Sequence, residues 1–103
     1  MKIVKVTYTT RAEYAPTNQT NIQQVMKDLQ TLGHTGIRYH ACVGPDEKTF
    51  IHTAFYQDEG VQKILNELPS FKYFQEQLKA SDLEIAPKQE LLKFEGSSWN
   101  LFT

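Results

Sequence analysis

The chain contains a single cysteine and carries almost no net charge. Among its 103 residues, 11 are Lys or Arg and 12 are Asp or Glu, which gives a formal net charge of −1. Cys42 cannot form an internal disulfide and suits a reducing compartment, so we expect a cytoplasmic protein. Since there is no basic excess, binding to nucleic acid or to an anionic membrane surface is not expected.

Long apolar runs and the common cofactor motifs are also missing. No stretch approaches the roughly 20 apolar residues of a membrane span, and Lys5 interrupts the apolar residues near the N terminus, unlike in a secretion signal. The chain has no Gly-rich phosphate loop, no paired metal-binding cysteines and no nucleophile elbow. We therefore expect no cofactor and no membrane partner, and the length predicts one domain over residues 1–103.

What the chain does have is a regular order of periodic segments. β-Branched and aromatic residues predict four strands, at Lys2 to Thr9, Ile37 to Val43, Thr49 to Tyr56 and about Lys88 to Glu95. Apolar residues at helical spacing predict one helix before the second strand and another, interrupted by Pro69, before the fourth. The order βαββαβ predicts a ferredoxin-like α+β domain with a four-stranded antiparallel sheet.

The ends of the two helices carry recognisable signals. The first helix has its apolar stripe at Ile22, Val25, Met26, Leu29 and Leu32. We expect Thr17 or Asn18 to cap its start and Gly33 to end it. Asp58 is placed to cap the second helix, and Ser70 to cap the piece that follows Pro69.

The middle strands form a hairpin whose turn is rich in Gly, Pro and Asp. A loop of about five residues pairs Val43 with Thr49 and places His40 directly opposite His52. Both faces of this hairpin carry apolar side chains, whereas one layer of helices covers only one face, so we expect a second copy of the chain to cover the other. The tail, residues 96–103, holds three large apolar residues and is expected to dock on the domain or on the partner subunit.

His40 and His52 are the sharpest candidate site. Opposite each other, their Cβ atoms would lie roughly 5 Å apart, close enough to relay a proton or to share a metal with Cys42. No carboxylate or ligand-spacing motif accompanies them, so the prediction is a pocket role without a metal. We predict His40, His52 and Tyr56 as catalytic residues.

Four further residues are predicted to bind the ligand: Arg38, Phe50, Phe71 and Phe74. Arg38 could orient an anionic or carbonyl-bearing ligand, or its stem could pack over Phe50 or Tyr56 as an ordinary surface residue. Phe71 and Phe74 could line an aromatic pocket, although at helical spacing such residues also form a core.

Several stretches together are similar to a known superfamily. They are Gly36 to His40, the Pro-Asp turn, Phe50 to Tyr56, Gln57-Asp-Glu-Gly and Leu68 to Phe74. This pattern of sizes and spacings resembles the dimeric α/β-barrel superfamily, most of all its antibiotic-biosynthesis-monooxygenase-like branch. The resemblance implies a homodimer whose two sheets form a barrel, with a pocket in each subunit between sheet and helices.

The sequence differs from that family at several positions that bear on the expected function. Tyr56 stands where many members carry Trp, and Ser70 where many carry His. The first strand has no Asn and Gln75 replaces the axial His of haem-degrading members, so haem degradation is not expected. We expect a homodimer that binds a small molecule, either as a cofactor-independent monooxygenase-like enzyme for an aromatic or polyketide-like substrate or as a non-catalytic ligand-binding or stress-type barrel.

Overall fold

A computed structural model describes the whole chain, residues 1–103. The elements in chain order are β1 (Lys2–Thr9), α1 (Ala15–Leu32), β2 (Ile37–Val43), β3 (Thr49–Tyr56), α2 (Gln62–Asn66, after a 3₁₀ turn at Glu59–Val61), α3 (Pro69–Ala80) and β4 (Ile85–Leu92). The strands form one antiparallel sheet in the order β2-β3-β1-β4. The predicted ferredoxin-like α+β fold is thereby confirmed. None of the helices is long and apolar enough to cross a membrane.

The core lies between the helices and one face of the sheet. Along β3, Phe50, His52, Ala54 and Tyr56 are buried, while the residues between them are partly exposed. This period of two is that of a strand with one covered face. Apolar side chains from α1, α2 and α3 complete the core, among them Val25, Leu65, Phe71, Phe74 and Leu78.

The register between β2 and β3 differs from the prediction by one residue. Val43 pairs with Phe50, one position beyond the predicted partner, and His40 pairs with Thr53. Successive side chains of a strand point to opposite faces, so a shift of one residue moves every side chain of β3 relative to β2. His40 and His52 therefore lie on opposite faces of the sheet, and the prediction that they face each other is wrong.

Asp46 explains the register. Its carboxylate accepts hydrogen bonds from the backbone N–H of Lys48 at 3.0 Å and of Thr49 at 2.9 Å, and from the Thr49 hydroxyl at 2.6 Å. The Gly44 N–H in turn donates to the Thr49 carbonyl at 2.8 Å. These bonds place Thr49 opposite Gly44 instead of Val43, so that Val43 faces Phe50.

The ends of α1 were predicted in part. Gly33 ends the helix with a φ of 65°, a left-handed conformation that favours glycine, and its N–H donates to the Leu29 carbonyl. The helix starts at Ala15, however, so neither Thr17 nor Asn18 caps it. Leu32, which was expected on the apolar stripe, is 49% exposed.

The break in the second helical region is confirmed at Pro69. Asp58 caps the 3₁₀ turn, because its carboxylate accepts from the Val61 N–H at 3.2 Å. Pro69 opens α3, where its missing N–H costs nothing. The prediction that Ser70 caps this helix is wrong, because Ser70 lies inside the first turn.

The last strand begins earlier than predicted and includes Pro87. β4 lies at the edge of the sheet, and its pairing with β1 shifts between Thr7 and Thr9. A proline, which has no N–H to donate, is tolerated at edges and irregularities of this kind. β4 therefore starts at Ile85 rather than at about Lys88.

The second face of the sheet carries no helix. A concavity of about 590 Å³ lies on this open face and is lined by sheet and tail residues together, including Ile3, Arg38, His40, Phe55, Trp99 and Leu101. Phe94 is 40% and Trp99 68% exposed. The tail thus lies beside the open face, with large apolar side chains still in contact with solvent.

We expect Leu65→Ala to lower the free energy of unfolding by about 3 kcal/mol, because it opens a cavity at a site that is 1% exposed. The matched change Leu32→Ala removes the same atoms from an exposed position and should stay within about 0.5 kcal/mol of the parent protein. Urea denaturation measures both values. Equal losses in the two variants would contradict the described core.

Candidate functional site

A cleft of about 330 Å³ opens between the helix-facing side of the sheet and α3. Its lining includes Tyr8, Tyr39, His52, Phe71, Phe74 and Lys79. The three sheet residues reach it from neighbouring strands, since β1 and β2 both pair with β3. The cleft therefore combines an aromatic wall with a small set of polar groups, as ligand sites commonly do.

Four residues form a continuous series of hydrogen bonds at the base of this cleft, which we call the buried polar chain. The amide Nδ2 of Asn18 donates to the Tyr8 hydroxyl at 2.8 Å, and that hydroxyl lies 2.7 Å from Nε2 of His52. On the other side of the imidazole, the Tyr39 hydroxyl lies 2.6 Å from Nδ1. Both ring nitrogens of His52 are thus occupied by phenols.

The imidazole of His52 is neutral at neutral pH. Burial, which disfavours the charged form, lowers its pKa to about 4. Aromatic rings surround it: the ring centroids of Tyr8 and Phe74 are 5.3 and 5.5 Å away, and Tyr39 meets it edge-on at 5.8 Å. His52 consequently has one N–H donor and one acceptor nitrogen rather than two donors.

The two phenols that bind His52 both keep their protons. Burial raises the pKa of Tyr8 above its ordinary value, and the hydrogen bond from Asn18 opposes this only in part. Burial likewise raises the pKa of Tyr39. Each hydroxyl can therefore donate as well as accept a hydrogen bond.

The structure brings some of the predicted site residues together. His52, Phe71 and Phe74 all line the cleft. Phe50 lies in the core, stacked on Tyr8 with ring centroids 5.6 Å apart, and does not line the cleft. Tyr56 is also a core residue outside the cleft, and burial raises its pKa to about 12.

Arg38 and His40 lie on the open face, away from the cleft. Arg38 donates to the Ile37 carbonyl at 2.9 Å and, because of the observed register, does not share a face with Tyr56 as predicted. Cys42 is exposed on the same face as His40. The alternative of a metal shared by His40, His52 and Cys42 is wrong, because the sheet separates His52 from the other two. No group of three or more His, Cys, Asp or Glu side chains is gathered elsewhere.

Asn18 and Tyr39 are the site residues that sequence reasoning missed. Asn18 was interpreted as a helix cap, but its side chain is fully buried. The signal was its position four residues before Ile22 and seven before Val25, which places a polar side chain on the apolar stripe of α1. Tyr39 was not among the predicted site residues, although its hydroxyl lies within hydrogen-bonding distance of His52.

Comparison with solved structures identifies proteins that have the same fold. The chain shares its fold with an antibiotic biosynthesis monooxygenase at a TM-score of 0.74, 11% identity and coverage of 93% of this chain and 100% of that one. The shared fold is the ferredoxin-like α+β fold described above. The protein PA3566 of Pseudomonas aeruginosa has a TM-score of 0.76 at 14% identity, with 92% and 94% of the two chains covered.

Another structural neighbour is described as a cofactor-independent oxygenase. SnoaB, a cofactor-independent oxygenase from Streptomyces nogalater, matches with a TM-score of 0.67 and 12% identity over 94% of this chain and 96% of its own. No protein-family model matches the chain, and no curated protein matches it in sequence. At these identities, the likeness to monooxygenase-like structures establishes the fold.

His52 should make the stability of the protein depend on pH. Its pKa is about 4 in the folded chain, against 6.5 for an unperturbed histidine, so the unfolded chain takes up a proton first. The contribution is complete above about pH 6.5 and is lost as the pH falls to about 4, on the order of 3 kcal/mol in total. Chemical denaturation across this range measures it.

Two variants separate His52 from other titrating groups. His52→Gln should flatten this part of the pH profile, whereas Leu32→Ala, which removes no titratable group, should leave its slope unchanged. A profile for His52→Gln as steep as that of the parent protein would show that His52 is not held neutral by burial.

Proposed function

We propose that the protein binds a small aromatic or polyketide-like molecule in the cleft and oxidises it with molecular oxygen without a cofactor. The observation that carries this proposal is the meeting of the buried polar chain with the aromatic wall of Phe71 and Phe74. The fold shared with SnoaB supports it. The cleft volume of about 330 Å³ lies at the lower end of the range typical of small-molecule sites, about 300–1,000 Å³.

Cofactor-independent oxidation makes specific demands on such a cleft. The substrate itself must supply electrons to oxygen, which it does most readily as an enolate or phenolate. A site that excludes water and offers fixed hydrogen-bond donors stabilises the developing oxyanion. The aromatic wall supplies an apolar surface, a protonated phenol in the lining can supply a donor, and Lys79 lines the same cleft as a positive charge that attracts an anion.

A second candidate function is ligand binding without catalysis. It is favoured by the state of His52, whose lowered pKa and two occupied ring nitrogens make it a poor general base. In this case, the cleft would hold the same class of molecule without turning it over. Turnover distinguishes the two candidates.

We also propose that the protein is a homodimer in which a second copy covers the open face. The supporting features are the concavity of about 590 Å³ and the exposed side chains of Phe94 and Trp99 beside it. Large apolar groups exposed together commonly mark an interface. A docked tail, residues 96–103, belongs to this proposal, and the exposed thiol of Cys42 suits a reducing, cytoplasmic location.

Anthrone tests the catalytic proposal, because its enol is electron-rich. One oxygen molecule should convert the ring CH₂ group to a carbonyl, giving anthraquinone, while the second oxygen atom leaves as water with the two hydrogens. We expect His52→Gln to lower kcat/KM by about tenfold through loss of the ordered phenols. Tyr73→Phe, at an exposed position on α3 outside the cleft lining, is the control and should match the parent protein.

Oxygen uptake and anthraquinone absorbance follow the reaction. Saturable binding of anthrone without oxygen uptake would select the non-catalytic function. Absence of both binding and turnover would argue against the cleft as a site for this class of molecule.

Trp99→Ala tests the dimer. Truncating a large aromatic side chain at an interface typically weakens association by tenfold or more, so we expect a raised dimer dissociation constant in native mass spectrometry across a dilution series. Tyr73→Ala removes an exposed aromatic side chain from α3 and should leave it unchanged. A parent protein that is monomeric at all concentrations would overturn the proposed homodimer.

A further inference from the structure

The hydrogen bonds of the buried polar chain can run in either of two directions. Because His52 is neutral, the direction decides which phenol donates to the imidazole and which accepts from it. A neutral imidazole has one donor and one acceptor nitrogen. Tyr8 and Tyr39 bind its two nitrogens at 2.7 and 2.6 Å. One phenol must therefore donate to His52 while the other accepts from it.

Asn18 selects between the two arrangements. Its Nδ2 already donates to the Tyr8 hydroxyl oxygen, and Tyr8 is only 2% exposed. If Tyr8 also accepted from His52, its own proton would be buried with no acceptor, which is unfavourable. When Tyr8 donates to Nε2 instead, the Tyr8 proton has an acceptor.

Exchanging the oxygen and nitrogen of the Asn18 amide does not make the opposite arrangement, in which Tyr8 accepts from His52, more favourable. In the structure, its Oδ1 is the atom without a partner. A reversed amide would let Oδ1 accept from Tyr8 but would leave both hydrogens of Nδ2 buried and unpaired. Orphaned buried N–H groups are rarer than under-satisfied carbonyl oxygens. The direction thus runs from Asn18 through Tyr8 and His52 to Tyr39.

In this arrangement, the hydroxyl hydrogen of Tyr39, the last member of the buried polar chain, is not donated to another residue. Nδ1–H of His52 donates to the Tyr39 oxygen, and this is the one hydrogen bond that the Tyr39 hydroxyl makes in the protein. Tyr39 lines the cleft. We propose that Tyr39 presents its hydroxyl hydrogen to a carbonyl, enolate or phenolate oxygen of the ligand, and that Asn18 is the positioning residue that keeps it available.

The ligand assigned to Tyr39 rests on the proposed function, whereas the arrangement of protons along the buried polar chain does not. Nitrogen NMR of the ligand-free protein reads the His52 tautomer directly, since protonated and unprotonated ring nitrogens have different shifts. We expect a protonated Nδ1 and an unprotonated Nε2 near pH 7, well above the pKa of His52. The opposite tautomer would overturn the inference whatever the protein binds.

Asn18→Asp tests the role of Asn18. Once the introduced carboxyl group is ionised, as its carbon shift reports, it can only accept, so Tyr8 must donate to it and take a hydrogen bond from Nε2–H. The His52 tautomer should then reverse, so that the Tyr39 hydroxyl donates its proton to Nδ1 and no longer offers it to the ligand. Asn21→Asp adds the same charge one turn along α1 and should not change the tautomer. If the carboxylate in Asn18→Asp is ionised and the His52 tautomer is unchanged, Asn18 does not determine the direction of the buried polar chain.

Two ligands that differ in one carbonyl test the role of Tyr39. Without oxygen, anthrone should bind the parent protein about tenfold more tightly than dihydroanthracene, which has CH₂ in place of the carbonyl. Tyr39→Phe should abolish that preference by weakening anthrone alone, and Tyr73→Phe should preserve it.

These outcomes distinguish failure of the donor role of Tyr39 from failure of the proposed function. A preference for anthrone that survives in Tyr39→Phe would overturn the donor role of Tyr39 while leaving the cleft as a binding site. Failure of the parent protein to bind either ligand would contradict the proposed ligand class and the donor role assigned for it, and the tautomer measurement would still stand as the test of the chain's direction.

Discussion

The pairing of Val43 with Phe50 decides which polar groups meet beneath the helices. With this register, His52 lies on the same face as Tyr8 and Tyr39, and the three side chains reach one another across three neighbouring strands. A register shifted by one residue would turn His52 away from Tyr39. The cleft therefore depends on a turn at the far end of the hairpin, where Asp46 holds Thr49.

The buried polar chain connects the helical layer to the sheet through the core. Polar groups taken out of water are tolerated in a core only when they are hydrogen-bonded to one another. Asn18 meets this condition in part by donating to Tyr8, so α1 is tied to β1 by a directional bond as well as by apolar contact. Such bonds specify how a helix sits on a sheet more narrowly than apolar packing does, because apolar contacts tolerate sliding.

Features that depend on local chemistry could be predicted from the sequence. Gly33 ends α1 because the backbone there is left-handed, and Pro69 interrupts the second helical region because it cannot donate. The register could not be predicted, since a single residue in the turn decides it. Thr53 was the available hint, because a polar β-branched residue suits the less buried face. The burial of Asn18 was hidden because asparagine also favours helix starts, and only its contact with Tyr8 distinguishes the two roles.

Pro87 has a consequence for the solubility of the fold. An edge strand exposes unpaired backbone groups on which a strand from another molecule could build, the route by which many sheet proteins aggregate. In β4, Pro87 removes one donor, the irregular pairing with β1 disturbs the regular edge, and Lys88 and Glu90 add charge. Growth of the sheet by strand addition is thus discouraged at this edge.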